Sequence, residues 1–184
     1  MANTSAEIRT DRLILRPPQI ADARRIGMLS RDRDVARMVS LMPYPQPDIA
    51  AEGFILIMQA RAGLGTDRVY AIDLPGVGPI GVCGAHSHGS GPVEVGYWLG
   101  RPYWGKGFAT EAARAVTAVA QGLGRGRVTA GHFVDNPASG RVLEKVGFVY
   151  TGEIAPRFSL AHAAKADLRL MRLGEQELGE QERA

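Results

Sequence analysis

Cysteine is almost missing: Cys83 is the only one in 184 residues, so no internal disulfide can form and a disulfide-stapled secreted scaffold is excluded. Aromatic residues make up only 7%, and none is interleaved with the arginines at 12, 16, 24, 25, 31, 33 and 37, which argues against a nucleic-acid-binding surface. Long hydrophobic runs are absent too. The longest uncharged stretch, Leu74 to Val93, contains six Gly and three Pro, which reads as turns and short strands and excludes a membrane span. Residues 1–12 have no apolar core, so no signal peptide is read there and a cytoplasmic location is expected. No repeat, low-complexity tract or linker divides the chain, and its length suits one domain, 1–173, followed by an acidic tail, 174–184.

What is present is an ordinary globular composition, 45% hydrophobic and 22% charged, with an uneven charge. The tail carries four Glu against one Arg, a net of −3, so the formal +3 of the chain puts +6 on the body. Nineteen of the 22 basic residues are Arg, a side chain suited to phosphate and carboxylate. A body of +6 fits a small anionic ligand at least as well as a polynucleotide.

Residues 12–16 (RLILR) alternate at strand period until Pro17-Pro18. Helical patterns follow over 19–29, 34–42 and, from Asp48, to about Arg61. Strands are expected at 69–73, 79–85 and 93–99, the last after a Gly-rich turn at 89–91. Ala112, Val116, Val119, Ala120 and Leu123 share one face of a helix running from about Phe108 to Leu123. A strand at 127–134, a helix opened by Asn136-Pro137 and ended by Gly147, and strands at 148–153 and 167–173 complete an α+β pattern with a mixed sheet.

The sharpest local signal is YWGKGFATEA, 103–112, between a strand and an amphipathic helix. Gly105 and Gly107 allow the backbone to bend so that successive N–H groups point into one concavity. The helix adds its unpaired first-turn donors and the positive end of its dipole, each such contribution being roughly 0.3–1 kcal/mol. Lys106 can add a point charge or face solvent. The loop lacks the Gly-Lys-Ser/Thr ending of a Walker A motif and the third glycine of a dinucleotide fingerprint. Taken alone it is equally a strand-to-helix turn that binds nothing.

Three ordered segments, VEVGYWL (93–99), YWGKGFATEA (103–112) and DNPASGRVLEKVGF (135–148), resemble the GNAT acyltransferase superfamily, and TDRLILRP (10–17) is similar to the opening strand of its RimJ/RimL-type branch. The resemblance covers about residues 10–173. It implies the GNAT fold, a strongly twisted mixed sheet of six or seven strands flanked by helices, whose fourth (93–99) and fifth (127–134) strands splay apart to hold acetyl-CoA. It further implies that the pantetheine arm pairs near Tyr97, Trp98 and Leu99, and that the pyrophosphate sits on Trp104, Gly105, Lys106, Gly107, Phe108 and Ala109. Asn136 and Ser139 would lie on the CoA arm. The chain departs from the family at Pro102, where Gln or Arg is usual; Arg101 lies one residue too early, and a proline removes one donor.

Transfer of an acetyl group to an amine requires a neutral nucleophile, a seat for an oxyanion and a proton for the departing thiolate. An α-amine of pKa ~8 is roughly 10% neutral at pH 7, whereas a lysine near ~10.4 is far below 1% neutral, so a base matters more for the latter. Glu94, on the strand face opposite Val93, Val95 and Tyr97, is the candidate base, acting through water; it equally fits a surface glutamate paired with a neighbouring Arg. The Leu99 N–H is the natural oxyanion donor. Where much of the superfamily has a tyrosine acid this chain has Leu143, and the branch resemblance places Ser139 as the proton donor, or as a group that orients CoA. Asn136 reads equally as a helix N-cap. His86 and His88 flank Ser87 in what reads as a Gly-rich turn without a third ligand, so no metal site is expected. Cys83 reads as buried core, and His132 fits a cleft-lining, a packed or a solvent-facing position. Tyr97, Trp98, Tyr103 and Trp104 fit either acceptor-site walls or core.

The expectation is therefore an acetyl-CoA-dependent N-acetyltransferase acting on a protein N-terminus or small amine through a ternary complex, as a monomer or homodimer. A catalytically inactive CoA-binding regulator on the same fold is the alternative, and a nucleic-acid module the more distant one.

Overall fold

The computed structural model describes residues 7–47, 49–87, 91–123 and 126–174. The expected acidic tail beyond Gly174, His88, Gly89 and the helix-opening Asp48 fall outside them. The strands are β1 (Ile8–Arg9), β2 (Ile14–Arg16), β3 (Asp67–Leu74), β4 (Gly78–Ser87), β5 (Val93–Leu99), β6 (Val128–Phe133), β7 (Phe148–Ser159) and β8 (Ala164–Leu173). The helices are α1 (Ala23–Ser30), α2 (Arg33–Ala36), α3 (Ala50–Gly63), α4 (Phe108–Gly122) and α5 (Pro137–Val146), with 3-10 turns at Ile20–Asp22 and Arg101–Tyr103. Among the described residues no helix is long and apolar enough to cross a membrane.

All eight strands form one sheet in the order β1-β2-β3-β4-β5-β6-β8-β7. The two-residue β1 accounts for the strand beyond the expected six or seven. Every neighbouring pair is antiparallel except β5–β6, which is parallel and joined by α4, the crossover such a pair requires.

Both faces are covered. On one, Phe108, Ala112, Val116 and Ala120, spaced by four along α4, pack against Cys83, Ala85, Val93, Val95 and Leu99. On the other, Ala23 and Ile26 of α1 and Ala51 and Ile55 of α3 pack against Val69 and Val82, with Trp98 alongside. A third cluster joins Val35, Ala36 and Met42 to Trp98 and to Ala161, at the tip of the β7–β8 hairpin.

That hairpin differs most from expectation. β7 continues six residues past Glu153, and the Leu160 N–H donates to Ser40 O (2.9 Å), which pins the tip over the sheet face that carries α1 and α3. The helical pattern at 34–42 shrinks to the single turn α2, because the chain there is held by Met42 and the hairpin tip instead of by helix packing.

Pairing between β5 and β6 covers only Val93–Val128, Glu94–Thr129 and Val95–Ala130; beyond Val95 the two strands part. Each is drawn to its outer neighbour where glycine permits it. A Cβ on Gly81 of β4 would collide with Trp98 O, and one on Gly131 of β6 would stand 2.7 Å from Leu168 Cδ2. These close approaches hold β5 to β4 and β6 to β8, and the gap opens between them.

Candidate active site

The 103–112 segment forms the bend its glycines suggest. Gly105 and Gly107 sit at φ +72° and +82°, left-handed conformations that disfavour any side chain. The first amide of α4 bonded within the helix is that of Glu111, to Gly107 O (3.1 Å). Among the described residues, the N–H groups of Gly105, Lys106, Gly107, Phe108, Ala109 and Thr110 donate to nothing in the protein. Trp104 is the correction: its amide donates to Arg101 O (3.2 Å) in the 3-10 turn, so it is no phosphate donor. Its indole Nε1–H instead donates to Leu99 O (2.7 Å). Lys106 folds back, its Nζ donating to Pro102 O (2.9 Å), and Arg101 pairs with Asp34 (3.2 Å) away from the loop.

A residue that sequence reading missed holds this loop from behind. Arg12 donates through Nη1 to Lys106 O (3.0 Å) and through Nε to Glu111 Oε2 (2.7 Å), while its guanidinium carbon lies 4.6 Å from the Phe108 ring centre. Glu111 Oε1 also accepts from the Thr10 hydroxyl (2.6 Å) and the Arg12 amide (2.8 Å). Burial works to raise the Glu111 carboxyl, but these donors outweigh it and hold it below its ordinary value. Nothing in a strand-edge arginine at position 12 signals a partner a hundred residues away.

Strand alternation aims the backbone of β5. Gly100 N–H donates to Ile80 O on β4 (2.9 Å), whereas Val93 N–H donates to Arg127 O on the β6 side (3.0 Å). The peptide groups of Tyr97 and Leu99 therefore point toward the gap where β6 has left. The Tyr97 side chain spans the same gap, its hydroxyl 2.9 Å from Ser139 Oγ and donating to Ser139 O at 3.0 Å. Burial pushes the phenol well above its ordinary value, with the Ser139 hydrogen bond opposing. Asn136 is an N-cap: its Oδ1 accepts from the Ser139 N–H (3.2 Å), with Pro137 at the first helical position. Leu143 is buried in the core. Of the positions open to it, His132 takes the packed one, with Nδ1 2.8 Å from Phe133 O and Nε2 3.1 Å from Tyr150 Oη.

Glu94 and Trp98 lie on the opposite face of β5. Glu94 Oε1 pairs with Arg157 Nη2 of β7 (3.4 Å), brought there by the folded-over hairpin. His86 is not in a turn, because β4 extends to Ser87; it stands directly across from Glu94. Its Nδ1 lies 2.7 Å from Oδ1 of the fully buried Asp67, whose Oδ2 is paired with Arg61 Nε. Cys83 is buried, which pushes its thiol far up.

A family model for the acetyltransferase (GNAT) domain matches residues 12–149, well over half of the chain. The chain belongs to this family and is a GNAT acetyltransferase. It is 31% identical over 153 residues to an uncharacterized N-acetyltransferase, YoaA, of Bacillus subtilis (strain 168), covering 79% of this chain and 84% of that one. In fold it is similar to RimL, a ribosomal L7/L12 alpha-N-protein acetyltransferase solved with coenzyme A (TM-score 0.77, 17% identity, 91% and 97% covered). It is likewise similar to the microcin C7 self-immunity acetyltransferase MccE solved with acetyl-CoA and AMP (TM-score 0.76, 18% identity, 89% and 92% covered). At such identities these two speak to fold alone.

Proposed function

We propose that the chain moves an acetyl group from acetyl-CoA to a primary amine, a protein N-terminus or a small amine, by direct attack in a ternary complex, as the RimJ/RimL-type branch does. The observation that carries this reading is the run of open amides from Gly105 to Ala109 at the mouth of the β5–β6 gap. A diphosphate fits that donor set, since it needs several converging donors and no group among the described residues satisfies these. The amides of Gly105, Lys106, Gly107, Phe108 and Ala109 would hold the diphosphate, the edge of Tyr97, Trp98 and Leu99 the pantetheine arm, and Asn136 and Ser139 the far side of the gap. Bound there, acetyl-CoA supplies an activated thioester carbonyl.

The remaining work falls to the chain. The Leu99 N–H stabilises the oxyanion. The Ser139 hydroxyl, steadied by Tyr97, meets the departing thiolate. Glu94, neutralised in part by Arg157, draws the acceptor ammonium to its face and relays its proton through water. The relationship to YoaA, an uncharacterized N-acetyltransferase 31% identical over 153 residues, supports an amine acceptor.

Calorimetry and thermal unfolding with acetyl-CoA test the binding half. At a hundredfold excess over Kd the stabilisation is about 2.7 kcal/mol, a shift of roughly 5–10 °C for a domain of this size. Thiol release across amines, dipeptides and ribosomal proteins tests the chemical half. Binding without turnover on any acceptor, unaffected by Glu94→Gln, would make the chain a CoA-binding regulator; no binding at all would end the proposal.

A further inference from the structure

Three strands place Asp67, His86 and Glu94 side by side in one row on the sheet face that carries α1 and α3, through the register pairs Asp67–His86 and His86–Glu94. Asp67 is fully buried, and its two oxygens are divided between Arg61 and His86. A carboxylate bonded in this way accepts the Nδ1–H and so leaves the lone pair of the imidazole on Nε2. Nε2 itself makes no hydrogen bond among the described residues.

Where Nε2 points is set by two glycines. A Cβ built on Gly84 would stand 3.0 Å from it, so the ring lies along the sheet over a bare stretch of β4. A Cβ built on Gly96 would find His86 Nε2 at 4.0 Å and no other heavy atom that close. Gly96 is the first residue of β5 past Val95, the last to pair with β6. Open space therefore lies beside the free nitrogen, at the point where the gap begins. The His86 side chain is 31% exposed, which leaves it a path for proton exchange with solvent.

We infer that the proton of the acceptor amine goes to His86, oriented by Asp67, in place of the Glu94 water relay, while Glu94 holds the ammonium beside it. The inference rests on the acetyl-transfer reading above and names a group which that reading does not use. The proton passes from the ammonium to Nε2, giving an imidazolium whose Nδ1–H still donates to Asp67. The freed lone pair attacks the thioester carbon, the C–N bond forms and the C–S bond breaks. The second proton of the nitrogen goes to the thiolate, and the imidazolium returns its proton to water. Imidazole suits this because one ring nitrogen can accept a proton while the other keeps its hydrogen bond to Asp67. Among the described residues, the charged groups around His86 are Asp67 on β3, Glu94 on β5, and their partners Arg61 at the end of α3 and Arg157 on β7.

The test is thiol release at saturating acetyl-CoA with alanyl-alanine and with spermidine as acceptors, for wild type, His86→Gln, His86→Ala and Glu94→Gln. His86→Gln is expected to lower kcat/KM for the amine about 10²–10⁴-fold, to abolish the acidic limb of its pH profile, and to leave acetyl-CoA affinity and Tm near wild type. Added imidazole is expected to restore part of the activity of His86→Ala and none of that of Glu94→Gln. Should the histidine variants unfold, Gly96→Leu fills the space beside Nε2 with the Asp67–His86 pair intact, and a loss in kcat/KM for the amine of the same order is expected. Wild-type turnover that His86→Gln leaves intact, limb included, overturns the role of His86 alone. So does a loss that imidazole does not rescue and that follows acetyl-CoA affinity. A wild type that releases no thiol with any amine removes the acetyl-transfer reading, and this inference with it.

Discussion

The Tyr97 hydroxyl lies 2.9 Å from Ser139 Oγ and ties the middle of β5 to the first turn of α5 across the gap between β5 and β6. It donates to the Ser139 carbonyl, and the serine hydroxyl turns toward it. The bond thus fixes both the width of the gap and the rotamer of the side chain proposed to meet the thiolate.

Tyr97→Phe keeps the ring and removes only this bridge. A stability loss of about 1 kcal/mol is expected, seen as a lower urea midpoint at unchanged slope. KM for acetyl-CoA should rise as well, because Ser139 is no longer held. An unchanged midpoint would show that the bridge does not matter to the fold.

Arg12→Ala removes the support behind the open amides. With its Lys106 O and Glu111 contacts gone, acetyl-CoA affinity by calorimetry should fall on the order of tenfold, the effect of one charge-assisted hydrogen bond of about 1.5 kcal/mol. KM for the amine should not move.

At Gly107 an alanine would have to hold φ +82°, which costs about 1–2 kcal/mol, and its Cβ would stand 3.2 Å from Arg12 Nη2. Gly105→Ala meets no atom within 4 Å and suffers only the backbone penalty. Both should lower Tm and acetyl-CoA affinity, Gly107→Ala the more.

The pH dependence of stability has two limbs. Burial raises the Asp22 carboxyl, but the Arg16 and Gln19 hydrogen bonds and the Arg16 charge bring it below its ordinary value, and Glu111 is lowered by Thr10 and Arg12. For a lowered carboxyl the unfolded chain binds the proton first. The stabilisation is therefore complete above the ordinary carboxylate range and lost as pH falls below about 4. Burial raises Cys83 from 9.0 and Tyr97 from 10.0, so their contribution is complete below those values and declines above them. Urea denaturation from about pH 3 to pH 11 should show both limbs, and Tyr97→Phe should flatten the alkaline one.

Much of the site could be read along the chain because its causes are local. Glycines at 105 and 107 require a left-handed bend whatever surrounds them, Asn136-Pro137 starts a helix by its own side chain, and Gly147 ends it at φ +105°. Other features had no local cause. Trp104 looked like part of the donor loop, yet its amide is taken by the Arg101 carbonyl. The Gly and Pro crowded into 74–93 make a turn the natural reading at His86, although alternation from Val82 through Gly84 carries the strand past it onto the face of Glu94. A long-range partner such as Arg12 for Lys106, or Arg157 for Glu94, leaves no periodic mark.

The order of strands and helices, the bend of the 105–107 backbone and the capped start of α5 were determined by the sequence itself, since each depends on the conformational range of one or two residues or on a short apolar period. The opening between β5 and β6, the hairpin folded over Glu94 and the row of Asp67, His86 and Glu94 were decided only by tertiary structure. They depend on how closely strands from distant parts of the chain approach at Gly81 and Gly131, and on which side chains twisting and folding then bring together.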